Sequence, residues 1–290
     1  MEGIVDREGR ELKLHGSLGF PCGAYSGENQ GFPWHWHDEI EMIAAMSGRL
    51  IVAVGEQRLP LEAGDAAIVG GGLPHAVLPT GGMPYHENDI VFHPSLVFGD
   101  EHSAMWEHYG RRLLERGRGI KLCGQDPADA PLIARIQEAW SLCGGKPPLY
   151  EFQVRQALTE VFAALWARLP EEGGATRGEE KRSARVKRMM LYLMAHWQEE
   201  VTLHDLAADA HLSERECQRS FRAGLGMSPL QYLNQVRLNR AAELLRNGEK
   251  SITEICYSCG FQNSSYFARR FRERYGVTPR DFREERGTLV

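Results

Sequence analysis

The sequence predicts an α+β protein of two domains: an N-terminal β-barrel followed by an amphipathic helical pair, then an all-α C-terminal domain with two helix-turn-helix motifs. Three observations predict it. Between residues 11 and 100, short alternating or fully apolar runs are cut by Gly and Pro, as in strands joined by tight turns. After Pro127 the apolar spacing becomes helical. The charge then changes sign, from a net −11 over residues 1–180 to +6 over residues 181–290. A chain of 290 residues has room for two hydrophobic cores.

Taken in order, IEMIAAMSG, RLIVAVGEQRLPL, DAAIVGGG and HAVLP read as strands, with Gly48, Gly55-Glu56 and Ala63-Gly64-Asp65 as their turns. Short strands at this spacing favour a barrel or sandwich, placed at residues 1–125. Leu132, Ile136, Trp140 and Cys143 share a helical stripe, as do Val154, Leu158, Val161, Phe162 and Leu165 beyond Pro147-Pro148. This helical pair, residues 126–170, either joins two protomers or packs its stripes on its own barrel. LPEEGGATRGEEKRS reads as a linker, residues 171–185. The remainder, residues 186–290, is dense in helix signals. Ser213 with Glu216 and Ser251 with Glu254 form capping boxes, Ser228-Pro229 and Thr278-Pro279 start helices, and Gly226 and Gly276 stop them.

The opening MEGIVDREGRELKLHG lacks the apolar core of a signal peptide, and no apolar run reaches the length of a membrane span. Six cysteines in so long a chain are too sparse for a disulfide scaffold. A cytoplasmic protein with reduced thiols is expected, without a membrane partner.

Two stretches repeat one design, TLHDLAADAHLSERECQRSFRAGLGMSPLQYL and SITEICYSCGFQNSSYFARRFRERYGVTPRDFR. Each has a short helix, a tight turn, a second helix mixing basic and aromatic residues, then G-x-[ST]-P and another helix. That order presents the second helix to a DNA major groove. The motifs fall at about residues 203–224 and 252–275. Arg215, Gln218, Arg219 and Arg222 share one helix face, where Arg suits guanine and Gln suits adenine. From Ile255 through Gly260-Phe261, Tyr266-Phe267 and Arg270-Phe271 to Gly276 and Thr278-Pro279, residues 186–286 resemble the paired helix-turn-helix domain of the AraC/XylS transcription regulators. The resemblance implies two recognition helices joined by a long helix near residues 229–246, with Ser264, Ser265, Ala268 and Arg269 facing DNA. Arg270 is read as a phosphate contact or a solvated charge. The first motif therefore carries more bidentate readout than the second. Cys256-Tyr257-Ser258-Cys259 reads as buried small apolar residues rather than a zinc or redox pair, since no second pair completes a site.

The stretch WHWHDEIE, residues 34–41, places His35, His37, Glu39 and Glu41 on one face if it is a continuous strand. With Gly48 it gives H-x-H-x₃-E-x₆-G, and Gly64, Gly72 and His75 give G-x₇-G-x₂-H. These resemble the two cupin motifs, although Gly70 stands where Pro is usual and Pro79 where Asn is usual. By that resemblance His35, His37, Glu41 and His75 are the metal-ligand positions, a donor set suited to Zn, Ni, Fe or Mn. The competing reading is that His35, His37, Glu39, Glu41 and His75 hydrogen-bond a small polar effector such as a sugar. Trp34 and Trp36 serve either as flat faces for that ligand or as core. Tyr85, His86 and His93 belong to a later barrel segment that could complete the pocket.

The expected function is a ligand-responsive, sequence-specific DNA-binding regulator of bacterial type. A homodimer would sit on promoter half-sites, with RNA polymerase as a further partner of an activator. A metal-responsive regulator and a metal-dependent cupin enzyme with an appended domain are the alternatives.

Overall fold

The computed structural model describes residues 15–284 apart from residues 18, 30, 101, 112–116, 169–176 and 248–249. Two compact units divide the chain, one ending at residue 184 and the other beginning at residue 185.

The first unit is built on two antiparallel sheets. Strands β1 (Cys22–Glu28), β8 (His86–Phe92), β3 (Ile40–Ser47), β6 (Ala66–Val69) and β9 (Ile120–Leu122) form one in that order. Strands β2 (Phe32–His35), β7 (His75–Pro79), β4 (Arg49–Val54) and β5 (Gln57–Glu62) form the other. All four expected strand segments are present, and Gly48 and Gly55 take the positive φ their turns need, 68° and 52°. At Gly48 a side chain would also strike the Pro84 carbonyl at 2.0 Å.

Strand alternation sorts β3 into two cores. Ile43 and Ala45 pack with Leu50, Val52, Leu61 and Val77 between the sheets. Ile40, Met42 and Ala44 face the other way, onto helices α2 (Ala130–Gly145) and α3 (Tyr150–Arg168). The helical stripes, Leu132, Ile136, Cys143, Val154, Leu158, Val161, Phe162 and Leu165, are all consumed in this second core. Their burial leaves polar positions such as Arg155, Gln156 and Glu160, together with Phe152, toward the outside of α3. Asp129 fixes the start of α2, accepting from Cys123 N at 2.8 Å and pairing with Arg168 at 2.6 Å. A short helix α1 (Ser95–Phe98) and a π-helical turn at Trp106–Gly110 complete the unit.

The second unit is helical: α5 (Leu203–Ala210), α6 (Glu214–Leu225), α7 (Pro229–Asn247), α8 (Ile252–Ser258), α9 (Ser264–Tyr275) and α10 (Pro279–Glu284). It is preceded by α4 (Arg177–Ala195). Residues 177–185, expected as part of a linker, are thus helical. A buried stripe of Val186, Met189, Met190 and Leu193 carries α4, and its polar first turns extend that helix. Both expected capping boxes form, and a third, Thr202 with Asp205, caps α5. Helix α7 serves two cores: Tyr232 meets Phe221 near its start, and Leu238, Ala241 and Leu245 meet Phe261, Phe267 and Phe271 near its end.

Each tight turn carries one left-handed residue, His211 (φ 54°) in the first motif and Gly260 (φ 76°) in the second. Gly260 is also crowded, because an added Cβ would lie 2.9 Å from the Trp197 carbonyl oxygen and from Arg237 Nε. That same Arg237 donates to Trp197 O at 2.7 Å and to Glu199 O at 2.7 Å. Gly260→Ala is therefore expected to destabilise this unit by about 1–3 kcal/mol, from positive φ plus the clash with a carbonyl. Denaturant unfolding of the purified protein measures it, and an unchanged midpoint would show that the turn relaxes freely.

Candidate functional site

The barrel interior holds four donor residues, all buried. His35 ends β2 and pairs directly with His75 at the start of β7, their rings 4.1 Å apart. Glu41 comes from β3 in the opposite sheet. His37 lies on the connection between sheets, its ring 4.9 Å from His75. One donor atom from each of His35, His37, Glu41 and His75 lies within 4.8 Å of the others.

The sequence reading of residues 34–41 as one strand needs correction. The chain leaves β2 after His35 and enters β3 at Ile40, in different sheets, so simple alternation does not extend across the stretch. Glu39 falls on the intervening bend. Its carboxylate lies 3.7 Å from His37 Nδ1, behind the ring rather than among the four donors. Trp34 and Trp36 are buried as core, with the Arg58 guanidinium 5.4 Å from the Trp34 ring centre. Tyr85 is buried between the sheets, and its hydroxyl accepts from Gly31 N at 2.7 Å. His93 is exposed and bonded to Ser95, and half-buried His86 lies at the far end of β8.

Local hydrogen bonds aim the imidazoles. His35 Nδ1 donates to Pro33 O at 2.9 Å, His37 Nδ1 to Glu39 O at 3.1 Å, and His75 Nδ1 to Leu73 O at 2.7 Å. A carbonyl only accepts, so each Nδ1 carries a proton and each neutral ring offers its Nε2 lone pair. Yet His75 Nε2 lies 2.7 Å and His37 Nε2 3.4 Å from Glu41 Oε2. Two acceptors at such distances repel unless a cation lies with them, either a proton on a ring or a metal ion. Burial pushes the Glu41 carboxyl up, but its bonds to His37 and His75 outweigh that and hold it well below the usual range. Burial and the neighbouring His75 hold His35 well below its ordinary value, in the neutral form that ligates metals. Backbone carbonyls behind each ring are the usual outer partners of metal-binding histidines. The donor set fits a divalent transition ion.

Three further polar residues of this interior escaped the sequence reading. His15 is buried with its ring 5.4 Å from His37, and its Nδ1 lies 3.1 Å from Tyr25 Oη. Glu87 and Asp89 project from β8 on the inward face, registered against Ala45 and Ile43 of β3. The alternation of HENDIVF could have found the acids, because Ile90 and Phe92 are the outward positions. His15 carries no such signal.

In the helical unit, Arg215, Gln218, Arg219 and Arg222 are exposed on one face of α6, while Cys217, Phe221 and Leu225 bury the other. On α9, Ser264, Ser265 and Arg269 are exposed, Ala268 is half-buried, and Phe267 and Phe271 point inward. Arg270 is held against Glu273 at 2.6 Å, and Arg269 lies over the Tyr266 ring at 5.6 Å. Tyr266, partly exposed and bonded by Asn234 at 3.2 Å, joins this face although only its place in the motif was legible.

Two family profiles match in sequence order, one described as a cupin domain over residues 26–86 and one as a helix-turn-helix domain over residues 206–285. An uncharacterized HTH-type transcriptional regulator, YdeC of Bacillus subtilis, is 25% identical over 97% of this chain and 98% of its own length. The HTH-type transcriptional activator RhaS of Salmonella schwarzengrund is 37% identical over 40% of this chain, spanning 41% of that protein. A solved structure of an AraC-type transcriptional regulator from Chromobacterium violaceum is 30% identical over 40% of this chain and all of that one, with a TM-score of 0.36. The chain belongs to the AraC family of transcription regulators. In this AraC-family chain the cysteines of the C-x-x-C stretch, Cys256 and Cys259, are fully buried in the core of the second motif. Burial pushes both thiols up, Cys259 to about 12. They act as small apolar residues. No helix of the described residues is long and apolar enough to cross a membrane.

Proposed function

We propose that this AraC-family regulator binds promoter DNA through α6 and α9 and is controlled by a small polar effector held in the cupin barrel. The observation that carries the reading is the exposed row of Arg215, Gln218, Arg219 and Arg222 on a helix whose other face is core. Ser264, Ser265, Ala268 and Arg269 form the second, weaker reading face, with Arg270 at its edge. The protein works in the cytoplasm, without enzymatic turnover, as a homodimer on two half-sites, and an activating form meets RNA polymerase there. A polar effector the size of a sugar suits the barrel's hydrogen-bonding interior.

His35, His37, Glu41 and His75 hold a divalent ion of the Zn, Ni, Fe or Mn class, which supplies a Lewis-acidic point of attachment for an effector oxygen or nitrogen. The second reading, in which that ion is itself the effector, is favoured by the opposed acceptors at His75 and Glu41. Regulation requires the ligand to bind one conformational state more tightly than another, whichever ligand it is. Electrophoretic and anisotropy titrations of the full-length protein on promoter fragments test the reading. Absence of DNA affinity at low salt, with and without ligands, would overturn it.

A further inference from the structure

We infer that Glu87 and Asp89 recognise the effector, and that this effector is a small molecule carrying one protonated nitrogen. The inference deepens the reading of the barrel as an effector chamber and rests on it.

Glu87 is 3% exposed, and its Oε2 has no hydrogen-bond partner; Asp89 Oδ1 is likewise buried and unpartnered. Among the described residues, neither forms an ion pair with an Arg or Lys. Native proteins rarely leave a buried acceptor unmet, so two on one strand face point to a partner that comes and goes. The residues registered with Glu87 are small and leave its carboxyl group without a bulky apolar neighbour across either strand. Glu87 faces Gly27 on β1 and Ala45 on β3, the smallest residues available, and a Cβ at Gly27 would lie 2.5 Å from Glu87 Oε1. Asp89 faces Tyr25, whose hydroxyl reaches His15, and His15 reaches His37. The acids therefore share one interior with the four donors, Asp89 two and Glu87 four positions along β8 from Val91, the residue registered with Glu41.

Charge decides the ligand class. Glu41, Glu87 and Asp89 are three carboxyl groups, and the rings of His35, His37 and His75, which donate through Nδ1 to carbonyls, are neutral when their Nε2 atoms hold a metal ion. A divalent ion on the four donors cancels two negative charges. One remains, in a region where an unpaired charge is costly. A monocationic nitrogen, ammonium or amidinium, completes neutrality and supplies N–H donors to oxygens that only accept. An anionic effector would meet repulsion, and a neutral polyol would leave the charge unpaired. Without the ligand the acids hold protons instead; burial and the neighbouring Glu41 push Glu87 up to about 8.

The test uses the full-length, zinc-loaded protein and size-matched probes: ethanolamine against ethylene glycol, glucosamine against glucose, butylamine against butanol, with glucuronate as the anion. Calorimetry and thermal shift should show at least one amine binding about tenfold or more tighter than its neutral partner, the effect of one buried charge-assisted contact. Glu87→Gln with Asp89→Asn should erase that preference. The same variant, free of ligand, should melt about 2–8 °C higher at pH 9, where Glu87 has lost its proton and the buried charge is unpaired. Equal binding of the neutral partners, tightest binding of glucuronate, no binding of any amine, or a lower melting temperature in the variant would each overturn the inference. DNA affinity measured on the same samples separates this from failure of the regulator reading, since loss of DNA binding leaves the probe preferences intact.

Discussion

Alanine in place of Arg219 is expected to weaken operator binding by the full-length protein about 5- to 100-fold at fixed salt, while Arg270→Ala changes it less than about threefold. The larger figure corresponds to losing one good bidentate contact to a base, about 1–3 kcal/mol. Arg219 stands on the exposed face of α6 beside Gln218 and Arg222, and among the described residues no ion pair engages it. Its guanidinium is free to meet a guanine without first breaking an internal contact. Arg270 is already engaged, 2.6 Å from Glu273, and its side chain is only 35% exposed. Competition from that pair reduces what a base or phosphate can gain. The two substitutions also separate by salt. If Arg219 reads a base edge, its loss relaxes sequence preference at one operator position; if it touches phosphate, affinity falls evenly and the salt slope drops by about one. Equal losses for Arg219→Ala and Arg270→Ala would show that the two motifs share the readout, contrary to the uneven exposure of their arginines.

A second large effect belongs to the barrel. Purified protein should carry close to one transition ion per chain, and His75→Ala should lower affinity for that ion by about 100-fold or more. Loss of even an outer partner of a ligand costs about 10- to 100-fold, so removal of a donor sets that as a floor. His75 is chosen because it contacts both His35 and Glu41 and its Nδ1 is pinned to Leu73 O at 2.7 Å. Chelation of the native protein should lower the melting temperature as bound-state stabilisation is withdrawn, and His75→Ala should lose that response. Metal analysis and thermal melts with and without chelator measure both. A metal-free native protein whose melting ignores chelator would assign the cluster to direct hydrogen bonding of the effector.

Local signals made the helical unit readable. Ser213 with Glu216 and Ser251 with Glu254 close their boxes within four residues, and Gly226 and Gly276 stop helices at φ 72° and 80°. Such features depend on neighbours in sequence, so residue order alone exposes them. The strands were readable for the same reason. His35, His37, Glu41 and His75 were legible as a pattern, but Glu39 was misplaced because alternation holds only while the chain stays in one sheet. His15 was invisible, since its neighbours in space, Tyr25 and His37, are distant in sequence. Glu87 and Asp89 lie on the polar side of an alternating strand, and residue order alone does not say whether such a side meets solvent or an interior. Only the second sheet, closing over β8 and β3, turns that side inward. Residues 177–185 looked like linker because their composition is charged, whereas the stripe that stabilises the helix begins at Val186.

The split of the four donors between sheets has a mechanical meaning. His35 and His75 ride on the four-stranded sheet and Glu41 on the five-stranded one, whose outer face carries α2 and α3. A cation bound by all of them would act as a clasp across the sandwich. Filling it would tie the two layers together, and emptying it would free β3 at the point where that strand also supports the helices.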